Sequence, residues 1–320
     1  MVAMEQLLSG FDVRVAAFEV CELEDGLRLD FAPAEELALH YVLDGAGSLK
    51  VGEAAPVPVS AATVVIVPPG HRRTLVAGEP VRANDGAPLP PSSASRCRRP
   101  LTQGLVRRGR AGNGQGQGHE AQERRGLLLA CGGIGATYGD GTGLFDRLHD
   151  PVVECFANCQ TGSNAFRSLL DELVDPRLGS RALAETLMKQ CLILVLRRLA
   201  QRREERPAWL AALQDPRLAQ AVEAMLEAPE APHRLEQLAA VAGMSRASFS
   251  AHFIAAFGQS PHDFLVESRM RRAAKLLQTT NLPVKTVAAK VGYRSRSNFT
   301  RAFKAYYGTV PAGSRRKAAE

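Results

Sequence analysis

The chain has 320 residues, 45% of them hydrophobic and 23% charged, with a net charge of +7 and a pI near 9.3. That length allows two domains with cores of their own, and the composition is that of a soluble globular protein. No membrane-spanning helix is expected, because the longest strongly apolar run is the six residues Cys191 to Leu196. Residues 214–320 hold 16 Lys and Arg against 8 Asp and Glu, or +8, and the first 213 residues hold 24 against 25, or −1. A basic C-terminal third on a near-neutral body implies a polyanionic partner there, or a solvated basic surface.

The opening MVAMEQLLSGFDVRV lacks a basic start followed by an apolar run, so no export is expected. The 6 cysteines are scattered, and Cys155 with Cys159 is not a zinc spacing. Reduced thiols and a cytoplasmic location are the expectation. LRLDF, LALHYVLDGAGSLKV and ATVVIVPPG are short β-branched runs separated by Gly, Pro and Asp, as in an antiparallel barrel or sandwich. A glycine turn after the strand that carries His40, and a PPG before His71, make this region resemble a cupin. The resemblance implies a small β-barrel over residues 1–81. Cupin enzymes ligate a metal through two closely spaced histidines, a carboxylate and a later histidine. This chain has His40 and His71 without a His-x-His pair or a suitably placed acid, so neither a metal nor a cofactor is expected. His40 and His71 are candidates for an effector pocket, the alternative being two incidental histidines. A metal-free cupin serves as an effector pocket or a dimer platform.

Residues 82–126 are rich in Gly, Arg, Pro, Ser and Gln and have almost no core-forming side chains. Such a composition cannot offset chain entropy, so the segment is read as irregular and disordered, interrupting the barrel. It is either a natural insertion, functionally an arginine-rich nucleic-acid tether, or the product of a shifted reading frame in a GC-rich gene; the second reading is preferred. Barrel patterning resumes at LLLACGGI, and the pattern turns helical from Gly143. In residues 127–201 the run SRALAETLMKQCLILVLRRLAQ places Leu183, Leu187, Cys191, Leu194 and Leu196 on one apolar face, with Ser180 as N-cap. That face suits a core or a dimer contact. Charges and Pro207 mark residues 202–214 as a linker.

Residues 215–320 contain the same unit twice. In RLEQLAAVAGMSRASFSAHFIAAFGQSP and in PVKTVAAKVGYRSRSNFTRAFKAYYGTVP, a short helix with two alanines leads to a glycine and then a serine. A second helix follows, with a phenylalanine four residues after the serine and another four later, closed by Gly and Pro. Gly243 and Gly292 supply the turn, and Ser245 and Ser295 cap the second helix. Phe249, Phe253 and Phe257 anchor one such helix, and Phe299, Phe303 and Tyr306 the other. Gly258 and Gly308 stop them. This is tandem helix-turn-helix architecture.

On Gly292, Tyr293, Ser295, Phe299, Arg301, Phe303, Lys304, Gly308 and Pro311 the region is similar to the AraC/XylS class of bacterial transcription regulators. In that class PHDFLVESRMRRAAKLLQ would join the two units as one long helix. The chain departs from the pattern at Ala251, Ser268 and Ser314, where Arg, Trp and an aromatic are common. The fold class expected is therefore α+β and multidomain: an interrupted cupin-like β-barrel with helices, then an all-α domain of two helix-turn-helix units. The function implied is that of a sequence-specific regulator or activator of transcription under small-molecule control, not an enzyme. Double-stranded DNA is its partner, with RNA polymerase and a second copy of the chain as further candidates. Alternatives are a metal-dependent cupin enzyme with a DNA-binding tail, and an effector-independent DNA binder with a defective N-terminal domain. With the phenylalanines inward, Arg246, Ala247, Ser250 and Ala251 face outward on the first recognition helix. Arg296, Ser297, Thr300 and Arg301 do so on the second, where Arg can pair with guanine and Thr can meet a thymine methyl. Lys304, Lys275, Arg271, Arg272 and Arg294 suit phosphate contacts.

Overall fold

Runs of Val, Ile and Leu without a breaker form the strands of the N-terminal half, and Gly or Pro ends each run. The computed structural model describes residues 11–78, 98–100, 126–138, 142–143, 150–202 and 206–317, with Leu8, Phe145 and Leu148 besides. Two compact units result: Val13–Ala136 with Leu148–Arg198, and Leu199–Glu320 with Met1–Asp12 and Thr137–Arg147.

The strands are β1 (Phe11–Glu24), β2 (Arg28–Phe31), β3 (Leu37–Asp44), β4 (Ala46–Val51), β5 (Val57–Ser60), β6 (Thr63–Val67), β7 (Arg73–Ala77), β8 (Arg98–Pro100), β9 (Gly126–Tyr138), β10 (Thr142–Gly143) and β11 (Val152–Cys155), and all but β10 and the outer ends of β1 and β9 belong to the first unit. Among the described residues these form a seven-stranded sheet, ordered β11-β6-β3-β9-β1-β8 with β10 on β9, and a four-stranded sheet ordered β2-β7-β4-β5. The cupin-like strands thus face one another as two sheets, and among the described residues they do not close into one barrel. Ala38, Val42, Val65 and Val67 of the larger sheet meet Phe31, Leu49, Val59 and Leu75 of the smaller in a shared core. Each such side chain contributes about 1.5–3 kcal/mol by leaving water. All five residues of β6 are buried, so its sequence TVVIV does not alternate. Of the segment 82–126, only β8 and Gly126 are described, and β8 pairs with β1 at Glu19 to Cys21. The rest of that segment, and with it the reading-frame question, lies outside the described residues.

Two helices follow the sheets, α1 (Gln160–Val174) and α2 (Ser180–Gln201). Tyr41 of β3 stacks on Phe166 of α1 with ring centroids 4.6 Å apart. Glu154 of β11 is fully buried, and its carboxylate accepts from Arg198 Nε of α2 at 3.1 Å. The stripe of α2 differs from the sequence expectation. Cys191 and Leu196 are buried as expected, but their neighbours on that face are Ala184, Met188, Leu192, Val195 and Leu199, whereas Leu183 is 47% exposed and Leu187 and Leu194 half-buried. The helix is leucine-rich on two faces, so hydrophobicity alone could not choose the inward one. Ser180 is the first helical residue rather than the N-cap. The Gly179 carbonyl accepts the first helical bond, and the Ser180 hydroxyl bridges the Arg177 amide and Glu172.

In the second unit α3 (Ala208–Gln214) forms within the stretch read as a linker and buries Trp209, Leu210 and Leu213. There follow α4 (Pro216–Glu227), α5 (Leu235–Val241), α6 (Arg246–Phe257), α7 (Pro261–Thr279), α8 (Val284–Lys290), α9 (Arg296–Tyr307) and α10 (Pro311–Lys317). α7 is the joining helix. Its Phe264 lies 5.4 Å from Phe253 and 5.6 Å from Phe257 of the first helix-turn-helix. Its Met270, Ala273 and Leu277 share a core with Val287, Ala288, Val291, Phe299 and Phe303 of the second. Ser268, where a Trp is usual, is buried and bonds back to the Phe264 carbonyl at 3.1 Å. α10 forms despite Ser314, whose amide bonds the Val310 carbonyl at 3.2 Å.

Candidate nucleic-acid interface

The two recognition helices are α6 and α9, and each is delimited by its own sequence. Ser245 Oγ accepts from the Ser248 amide at 3.2 Å and Ser295 Oγ from the Asn298 amide at 3.4 Å, so both serines cap the helix start. Gly258 and Gly308 end the helices with φ of 70°, the left-handed conformation that costs other residues about 1–2 kcal/mol. Phe249, Phe253, Phe299 and Phe303 have no exposed surface. The sequence expectation of Tyr306 as a third anchor is corrected. Tyr306 is 42% exposed and Tyr307 39%, so neither is a buried anchor, although the Tyr307 ring, four residues after Phe303, lies 4.8 Å from that of Phe303.

The burial of the phenylalanines turns the opposite faces outward. Arg246, Ala247, Ala251, Arg296, Ser297, Arg301 and Lys304 are exposed, and Ser250 and Thr300 half-buried. On α6, Arg246 is already engaged, its Nη1 donating to the Glu236 carboxylate of α5 at 2.7 Å. That carboxyl is held below the usual range, first by its own backbone amide and then by Arg246. On α9, Arg301 Nη2 donates to Asn298 Oδ1 at 3.3 Å, and among the described residues no carboxylate pairs with Arg296. Lys285 of α8 stands where α5 has Glu236. The phosphate candidates divide. Lys304 and Arg294 are exposed and Lys275 half-buried, whereas Arg271 and Arg272 each meet a carboxylate, Glu267 and Glu230, at 2.7 Å.

The two turns are not equivalent. Gly243 has φ of 59° and open space where a Cβ would stand. Gly292 has φ of 83°, and a Cβ there would come within 2.7 Å of the Glu230 carbonyl oxygen. Gly292 is also followed by two residues before its capping serine, against one after Gly243. Sequence reasoning missed Glu236, Asn298 and Arg269. The first two are polar residues flanking a reader, a signal too common to single them out. The third bonds only backbone carbonyls.

In the first unit His40 is buried, its ring 5.0 Å from that of Phe31 and its Nδ1 3.2 Å from Cys131 Sγ. His71 sits half-buried before β7 and donates from Nδ1 to the Pro69 carbonyl at 3.0 Å. Each ring thus has a partner of its own. Among the described residues no three His, Cys, Asp or Glu side chains gather where a metal ion could sit, and no helix is long and apolar enough to cross a membrane.

Comparison with known proteins adds two family matches, a cupin model over residues 3–201 and a helix-turn-helix domain model over residues 238–317. An uncharacterized HTH-type transcriptional regulator of Haemophilus influenzae is 38% identical over 43% of this chain and 46% of its own length. A putative AraC-like transcription regulator of Streptomyces lividans is 34% identical over 54% of this chain and 58% of its own. The chain spans about half the length of the curated relatives it matches. Among solved structures, the DNA-binding domain of AdpA in complex with a target DNA is 33% identical over 31% of this chain and 89% of that one, with a TM-score of 0.30.

Proposed function

We propose that this chain, which belongs to the cupin family and carries the helix-turn-helix domain of AraC-like transcriptional regulators, is a sequence-specific DNA-binding regulator of transcription under small-molecule control. The observation that carries the reading is the repeated helix: two capped recognition helices, each with buried phenylalanines behind an exposed polar face. A major groove admits such a helix, and two units on one monomer reach successive grooves about 34 Å apart. Arg296, Ser297, Thr300 and Arg301 read bases from α9, and Arg246, Ala247, Ser250 and Ala251 from α6. Gly243, Ser245, Gly292 and Ser295 hold those faces in place. Lys304 sets register on the phosphates.

The domain plan of this reading is an effector domain in residues 1–81 and 127–201 interrupted by 82–126, a connector at 202–214 and the DNA-binding domain from 215. The effector site belongs to the cupin-like unit, with His40 and His71 as its candidate residues. His40, Arg73, Ser48 and Thr63 are polar groups buried in that unit, and His71 is half-buried. A second copy of the chain and RNA polymerase are the further partners; Leu183 is an apolar residue of α2 open to the former. The regulator works in the cytoplasm, where DNA and polymerase are met. Genome-wide mapping of bound sites tests the reading: a shared sequence motif is expected, and uniform occupancy would refute it. Thermal unfolding with compounds processed by neighbouring genes tests effector control, since a true ligand raises the transition.

A further inference from the structure

Residues 228–233, between α4 and α5, touch the rest of the domain from two sides. Arg269 of α7 donates from Nε to the Pro229 carbonyl at 2.6 Å and from Nη2 to the Ala231 carbonyl at 2.9 Å. Arg272, one turn later, pairs with the Glu230 carboxylate at 2.7 Å. The backbone of Glu230 meets the second helix-turn-helix so closely that a Cβ on Gly292 would lie 2.9 Å from its Cα. The His233 ring bonds back to the Ala228 carbonyl at 2.7 Å, which folds the segment on itself.

The segment runs directly into α5, the opening helix of the first unit, and Gly292 is the turn of the second. It is therefore a second mechanical link between the units, besides the covalent one through α7. Each unit packs on a different stretch of α7, the first at Phe264 and the second at Met270, Ala273 and Leu277. α7 alone would leave their relative rotation to side-chain packing. A planar guanidinium bonding two carbonyls fixes direction as well as distance, which a lysine ammonium does not.

On DNA that rotation decides which spacing fits, because one added base pair turns a half-site by about 34° around the axis. We propose that Arg269 is a positioning residue that locks the two recognition helices in register, so that the spacing between half-sites becomes part of what the chain recognises. This rests on the DNA-binding reading above.

The test uses the full chain. A duplex selected by the wild type from a random pool is lengthened between its half-sites by one and then two base pairs. Affinities are measured at one salt concentration for the wild type, Arg269→Lys, Arg269→Ala and Glu230→Ala, each with its melting curve. The wild type is expected to lose about tenfold or more in affinity per added base pair, because a mis-phased second unit forfeits its intramolecular advantage. Both Arg269 variants should bind the spacings within about threefold of one another, with Glu230→Ala in between. Should Arg269→Ala fail to fold, Arg269→Lys and Glu230→Ala carry the comparison. A variant that melts lower yet keeps the wild-type spacing ratio would overturn the proposal, since the residue would then only stabilise. So would a wild type indifferent to spacing. A wild type that selects no duplex would refute DNA binding itself, a separate outcome.

Discussion

The two helix-turn-helix units share an outline and differ in how tightly the surrounding chain holds them. Both have a serine cap, buried phenylalanines and a left-handed glycine stop. In the first unit the turn glycine faces open space and the leading arginine is tied to Glu236; in the second the glycine is jammed against Glu230 and Arg296 meets no carboxylate among the described residues. The lesson is that a repeated sequence motif gives a repeated pair of helices, while the neighbours decide how closely each turn is held and whether its leading arginine is paired.

The largest expected effect comes from exchanging the turn glycines. Gly292→Ala combines left-handed strain with backbone overlap and should destabilise the domain by about 2–4 kcal/mol. Gly243→Ala meets only the strain and should cost about 1–2 kcal/mol. Denaturant unfolding of both variants checks this, and equal losses would erase the difference between the turns. Next come the leading arginines. Arg296→Ala should weaken binding to the preferred duplex by about 1–3 kcal/mol and relax one base position. Arg246→Ala should cost less, because its guanidinium must first leave Glu236. Titrations against duplexes varied one base at a time separate the cases. A loss spread evenly over all sequences would make Arg296 a phosphate contact instead.

A smaller effect concerns Glu223 of α4, which supports the first unit. It is 8% exposed, and burial, with Glu227 one turn on, raises its pKa. The folded state therefore favours the protonated carboxyl, and stability is lost as pH rises from the usual carboxylate range through the raised value. Glu223→Gln should melt a few degrees above the wild type at neutral pH, with the gap closing below the usual carboxylate range. A gap independent of pH would point to altered packing. Smallest is Glu236→Gln, which frees Arg246 and removes a negative charge near the duplex. Binding should tighten about two- to fivefold and less at high salt, as expected for an exposed ion pair. A weakening would mean that Glu236 orients Arg246 rather than competing for it.

Much of this was legible in the sequence because the units carry residues with narrow conformational roles. A glycine with positive φ, a serine before a helix and phenylalanines four apart leave little choice of conformation. The inward face of α2 was not legible, since Leu183 and Leu187 compete with Met188 and Val195 on apolar character and only the sheet beneath decides. Tyr306 and Tyr307 are adjacent and chemically alike, so their roles depend on the phase of α9. The link through Arg269 left no trace because its acceptors are main-chain carbonyls, which every residue has. Cupin character was readable from turns and strands, but a sequence cannot say whether such strands close into a barrel or face each other as sheets.

The caps also act as rulers. Each recognition helix runs twelve residues from serine to glycine. At about 1.5 Å per residue it is about 18 Å long, the axial rise of about five base pairs. Substitutions on the outward faces change which bases are met and leave the length of the helix as it is. A variant with a longer recognition helix has to move Ser295 or Gly308, not the arginines between them.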